Sequence, residues 1–234
     1  MDSAMEICGA EYTALFESRG LSTIRNKSLS KAQSAYILRQ YQKYVEVFPK
    51  LLAIGISKLD DDDSRMPLVA NLWEEHGEGQ ISKAHRNLYK QLLASVGQTS
   101  PLIHPLLLGQ YRHSAERFAA SCLDEVSSGT ASFAMGFLGP GTEGTTAELY
   151  GVLQNLLCAF GLQDQDIFFE PHCALDVEHI KMFGPAIDAV LRDGALTGRS
   201  DYVAGVRKAL QLETEFWDGV TDEADDISVD SLDR

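Results

Sequence analysis

His172, Asp176 and His179 stand at i, i+4 and i+7, so at 100° per residue they share one side of any helix that carries them. Leu175, Met182 and Phe183 lie on or beside the same stripe, which turns it toward a core rather than toward water. Two imidazoles and a carboxylate that face inward must pair with one another or bind a metal ion. A hydrogen-bonded cluster at a surface or interface accounts for the triplet alone equally well. Other donors therefore have to decide.

Such donors exist upstream. Glu75 closes one apolar-periodic segment and His85 opens the next, and the short glycine-containing stretch between them can bring both to one point. Glu74, His76 and Glu78 crowd the same helix end, and spacing alone does not choose between Glu75 and Glu78. Glu143 lies in a stretch interrupted by Gly136, Gly139, Pro140, Gly141 and Gly144, with Phe133, Phe137 and Leu138 before it and Leu149 and Tyr150 after it. A carboxylate in such apolar surroundings needs a cation. Glu148 is the fallback, at a position better suited to water. The glycines and proline weaken a helix, and backbone irregularity of this kind often lies beside a ligand. Together the chain offers three carboxylates and three imidazoles from three or four helices. That is the donor set with which a bundle holds two octahedral first-row metal ions, and iron or manganese suits it better than zinc.

Positioning these donors requires helices. Helical periodicity recurs from end to end, while alternating β-branched runs are almost absent, so the chain reads as all-α. Helices are expected over about 4–17, over about 30–58 with a Ser30–Gln33 capping box and a kink at Pro49, and over about 65–76, 82–96 and 110–126. An interrupted one follows over 130–160, then others over 169–192 and 200–219. Residues 60–63 are expected to form a charged linker and 99–105 a proline-containing loop. Residues 1–217 form one domain in this reading, and residues 218–234, with seven acidic side chains against one Arg, a solvated and disordered tail.

Composition narrows the partners. With 34 acidic against 20 basic residues the net charge is −14, and no cluster of Lys and Arg interleaved with aromatics could neutralise phosphates or anionic lipid. Nucleic acid and membrane are thus not expected partners. The first residues lack the pattern of a signal peptide and no stretch approaches a membrane span, which points to the cytoplasm. Cys8, Cys122, Cys158 and Cys173 show no paired spacing, so reduced thiols rather than a structural zinc or a disulfide framework are expected.

The order Glu75, His85, Glu143, His172, Asp176, His179 resembles the heme-oxygenase-like diiron oxidases and oxygenases. The segments YVEVFPKLL (44–52), NLWEEHGEG (71–79), 85–89, 139–150 and 169–183 carry the likeness, over residues 30–190 or so. The resemblance implies a single heme-oxygenase-like bundle of about seven helices, and it favours Glu75 over Glu78 and Glu143 over Glu148. Some members add a carboxylate from the second helix; Glu46 is the nearest position, though a Glu there fits the wet face equally well. No His precedes His76, which argues against the proximal heme ligand of heme oxygenases. Thiaminase-like relatives use a Cys nucleophile, and Cys173, beside His172, points from another helix face and suits packing. Members that sacrifice their own side chains keep a Lys where this chain has Leu153.

What the resemblance further implies is two ferrous ions, O2 as co-substrate and a small-molecule substrate, with an external electron donor for repeated turnover and pairing into a homodimer. Substrates in that group are amino acids, oxidised by N-oxygenation, C–C cleavage or conversion to nitriles, or fatty acids, which are oxidatively decarboxylated. An apolar lining from Phe133, Phe137, Leu138 and Phe169 would suit a bulky aromatic amino acid. The competing reading of another class is a non-catalytic metal-binding or protein-interaction bundle.

Overall fold

The computed structural model describes residues 4–26, 29–192 and 196–227, and the side chains of 4, 5, 173–177 and 196 lie outside what it describes. Among the described residues there are helices and turns but no strand. Eleven α-helices have eight or more residues: α1 (Gly9–Phe16), α2 (Arg19–Asn26), α3 (Lys31–Ser57), α4 (Asp62–Glu75), α5 (His85–Gln98), α6 (His113–Ser128), α7 (Ala131–Leu138), α8 (Gly144–Leu153), α9 (Phe169–Met182), α10 (Gly184–Arg192) and α11 (Leu196–Asp225). The number exceeds the expected seven because segments that read as single helices are broken. The interrupted stretch 130–160 becomes α7, a π-helical turn over Gly139–Glu143, and α8. The stretch 169–192 divides at Phe183, just before Gly184 and Pro185, where proline cannot donate to the preceding turn.

Local chemistry sets most boundaries. Ser30 caps α3 as its spacing implies: the hydroxyl accepts from Gln33 N at 3.2 Å, and the Gln33 side chain accepts from Ser30 N at 3.0 Å. The helix continues through Pro49. The run 60–63 is not a linker, since Asp61 accepts from Ser64 N at 2.8 Å and caps α4, with Asp62 and Asp63 in its first turn. Negative charge is favoured there by the helix dipole.

The longest helices, α3 and α11, run through the middle of the core. Tyr41 of α3 stands 5.4 Å from Trp217 of α11, ring centre to ring centre, and Phe216 stacks on Phe118 of α6 at 4.8 Å. Helix α11 does not fray at residue 217 as expected. Val220, Thr221 and Ala224 are buried, and the Glu223 carboxylate accepts from Tyr36 Oη at 2.7 Å and Ser114 N at 3.0 Å. Acidic composition outlined a tail, but its apolar side chains recur at helical spacing and find a surface to cover.

Close approach of α7 and α11 explains the glycines. A Cβ on Gly136 would lie 2.0 Å from the Tyr202 carbonyl oxygen, and one on Gly205 2.1 Å from that of Phe133. Only hydrogen fits at either position. The π-turn after this crossing leaves carbonyls off the regular ladder, and threonines take some of them: Thr142 Oγ1 donates to Phe137 O at 2.9 Å and Thr145 Oγ1 to Thr142 O at 2.8 Å. Single π-turns are often found at functional sites.

Candidate metal centre

Helix α4 ends on Glu75 and α5 begins on His85. The chain between them folds back tightly, so His85 Nδ1 lies 2.9 Å from Glu75 Oε1 with both side chains buried. The π-turn carries Glu143 into the same interior, where Glu143 Oε1 accepts from Asn71 Nδ2 at 3.2 Å. From α9 come His172 and His179, both buried. The rings of His85 and His172 are 4.1 Å apart, those of His85 and His179 6.5 Å. His179 Nδ1 is 3.8 Å from Glu143 Oε2, and its Nε2 is 2.9 Å from Glu74 Oε2. The fold thus brings Glu75, His85, Glu143, His172 and His179 together from α4, α5, the π-turn and α9. Asp176 lies on α9 between the two histidines, but its side chain is outside the described residues.

Burial and charge act in opposite directions here. Burial alone would raise the Glu75 carboxyl, but His85, through both charge and hydrogen bond, and then His179 and His172 hold it below the ordinary range. Burial pushes His172 down to about 4, helped by the neighbouring His85. His172 is accordingly a neutral imidazole at neutral pH. Its Nδ1 is hydrogen-bonded to the Phe168 carbonyl, which places the proton on Nδ1 by assignment from that bond. Nε2 is left buried with no hydrogen-bond partner among the described residues. A buried lone pair without a donor costs free energy, and a metal ion is the group that would satisfy it.

The small cavity beside these donors measures about 30 Å³ and is lined by Tyr41, Tyr44, Phe48, Tyr150 and Phe168 along with the site residues. Phe133, Phe137, Leu138 and Phe169, expected as its lining, are not part of it. Helix α7 lies behind the π-turn against α11, so Phe137 and Leu138 belong to the core. Phe169 packs a layer away on Tyr150 and Tyr89, with ring centres 5.3 and 6.1 Å apart, whereas Phe168 faces His172 at 4.3 Å. Tyr41, Tyr44 and Phe48 recur at i, i+3 and i+7 on α3, a signal that looks like ordinary core in sequence.

Other candidates lie elsewhere. Glu46, the possible ligand from α3, accepts from Tyr111 Oη at 2.9 Å and Gln42 Nε2 at 3.2 Å and lines a different pocket with Arg39 and Lys90. It does not join the cluster. Glu148 is exposed and paired with the Tyr12 hydroxyl, and His76 is exposed with Nδ1 bound to Leu72 O. Two more residues join: Asn71, one turn before Glu75, which sequence reasoning did not single out, and Glu74, one of the carboxylates crowding that helix end, which lies against His179. Their i, i+4 and i−1 relation to Glu75 was the available signal.

Among the described residues no three His, Cys, Asp or Glu side chains are already spaced around one ion, because His85 closes on Glu75 and His179 on Glu74. The donor types still fit an iron pair: imidazole and carboxylate, an orphaned His172 nitrogen, and Asn71 and Glu74 placed to orient ligands from outside. The described cysteines Cys8, Cys122 and Cys158 are free thiols, and no described helix is long and apolar enough to cross a membrane.

This all-helical architecture with donors on inward faces is the heme-oxygenase-like fold. It is similar to a TenA homolog from Pseudomonas syringae pv. tomato str. DC3000, at TM-score 0.71 and 17% identity over 93% of this chain and 90% of that one. A CADD-like protein of unknown function from Nostoc punctiforme PCC 73102 matches at TM-score 0.75 and 15% identity, covering 94% of this chain and 98% of that one. A domain of unknown function with a heme oxygenase-like fold from Shewanella denitrificans OS217 matches at 0.66 and 16% identity, over 93% and 89%. No curated protein matches in sequence. Residues 35–214 match the family described as iron-containing redox enzyme, and the chain belongs to that family.

Proposed function

We propose that the protein is a non-heme diiron oxygenase or oxidase that uses O2 to oxidise an amino-acid-type substrate. The observation that carries this reading is the convergence of three buried imidazoles and two buried carboxylates from four elements beside one small cavity, with His172 Nε2 left without a partner. Glu75, His85, Glu143, His172 and His179, completed by Asp176, would hold two ions. Two ferrous ions there would supply the electrons that activate O2. Asn71 holds Glu143 in orientation, and Glu74 does the same for His179 through Nε2. The Phe168 carbonyl keeps the His172 proton on the far nitrogen. Phe48, Phe168 and the three tyrosine rings keep bulk water out, which strengthens every electrostatic contact inside.

Membership of an iron-containing redox family supports iron over manganese. The test is anaerobic titration with ferrous iron, followed by O2 and each amino acid in turn with product analysis by mass spectrometry. Two irons per chain and substrate-dependent O2 consumption are expected. His172→Ala should remain helical by circular dichroism yet bind fewer than two irons. Failure to bind iron, or full activity in that variant, refutes the assignment and leaves the non-catalytic bundle.

A further inference from the structure

Helix α4 has two faces of different character. Inward it delivers Asn71 and Glu75 to the metal centre. Outward, Met66, Val69 and Trp73 stand 62, 41 and 57% exposed, with Ala70 exposed between them. At i, i+3, i+4 and i+7 these four form one stripe, and no charged residue occurs between Met66 and Trp73. On a chain of net charge −14, an uncharged outward helix face marks a contact surface, whereas single exposed apolar side chains would not.

The largest side chain of the stripe is held in place. The Trp73 ring edge rests on Gly79, where a Cβ would lie 3.1 Å from Cη2 and 3.2 Å from Cζ2. Gly79 has φ 83°, a backbone that glycine takes without strain, and it closes the turn beneath the ring. An aromatic ring fixed before contact loses little freedom when it is covered, which is the property of an interface anchor.

The order of sizes along the stripe selects the partner. Large Met66, smaller Val69 and Ala70, and large Trp73 form a palindrome, so a two-fold rotation about the midpoint of Val69 and Ala70 exchanges Met66 with Trp73. Two antiparallel copies of α4 then set each Trp73 over the partner's Met66, a favourable sulfur–aromatic contact, and the small central side chains let the backbones approach. The seven-residue step from Met66 to Trp73 is that of a coiled-coil seam. Charge agrees with this direction. Asp62 and Asp63 are exposed at one end of the stripe, and the chain that turns back at the other end carries exposed Lys83 and Arg86, which outnumber Glu78 there. Antiparallel pairing brings the acidic end of each helix to the basic end of the other. We propose that α4 is a self-association seam through which two copies of this chain pair about a two-fold axis at Val69 and Ala70. The 14 residues of α4 span about 21 Å, so the seam by itself covers well under the roughly 800 Å² per partner of a standard interface. The pair is therefore reversible and concentration-dependent.

The test is sedimentation velocity on the full chain from about 5 to about 500 μM, the range in which small interfaces associate. Monomer should give way to dimer across that range, and acrylamide quenching of Trp73 should fall in step, since Trp217 is already buried. Trp73→Ser should shift the midpoint at least about tenfold toward monomer with an unchanged circular dichroism spectrum. In a Cys158→Ser background, which removes the exposed native thiol, Ala70→Cys should cross-link to its own copy under mild oxidation. Met66→Cys should not, because it stands away from the axis and beyond disulfide reach of its own copy. A monomer over the whole range, a dimer unchanged by Trp73→Ser, or no cross-link through Ala70→Cys overturns the proposal.

Discussion

Replacing Glu213 by Gln should make the protein more stable at neutral pH, and the gain should grow with pH. Glu213 lies on α11, fully enclosed, with Oε2 lacking a hydrogen-bond partner among the described residues. Burial raises its carboxyl from the ordinary 4.5 to about 8, only partly offset by the Trp217 indole. The folded state therefore holds this proton more tightly than the unfolded state does. Its contribution to stability is intact below pH 4.5 and is lost as pH rises toward 8. At about 1.4 kcal/mol per pH unit, the interval up to pH 7 corresponds to ~3 kcal/mol of destabilisation. The amide of Gln keeps the shape but still needs a partner, so a net gain of about 2 kcal/mol is expected at pH 7. For a chain of this size that is a rise of about 4–8 °C in Tm. Paired thermal melts of the wild type and Glu213→Gln at pH 5 and pH 8 read the effect, and the difference should widen at pH 8. Equal melting temperatures at pH 8, or a difference that does not change with pH, would refute the argument that this carboxyl is buried and unpaired.

Three further outcomes follow from the geometry. Asn71→Leu removes the bond to Glu143 and should weaken iron binding by about 10- to 100-fold, measured by chelator competition, without loss of helix. Gly136→Ala drives a methyl group into the Tyr202 carbonyl and should cost about 1–3 kcal/mol; an unchanged denaturant midpoint would show that α7 and α11 do not cross there. Ser30→Ala removes the bond from Gln33 N to the Ser30 hydroxyl, leaving the backbone bond from Ser30 N to the Gln33 side chain, and should lower stability by ~1 kcal/mol, with a smaller penalty in Ser30→Gly.

Residue types and spacing carry the helices and the donor inventory. The 3.6-residue period makes α3, α4, α5, α6 and α11 legible, and the Ser30–Gln33 pair marks the start of α3 within a residue, because these depend on neighbours close in sequence. The same period places His172 and His179 on one face of α9 whatever lies opposite. What that face meets is a different matter. Periodicity says which side of a helix turns inward but not which layer of the core receives it, so Phe168 rather than Phe169 reaches the cavity. Glu74, Glu75 and Glu78 are near-equivalent in sequence, and only the folded chain separates them: Glu75 closes on His85, Glu74 on His179, and Glu78 is exposed on a left-handed backbone. Glu143 is drawn inward by a π-turn whose cause, the contact of α7 with α11, spans some seventy residues. Contacts of that range leave no local pattern, so the composition of the site is a property of the sequence while its assembly belongs to the tertiary structure.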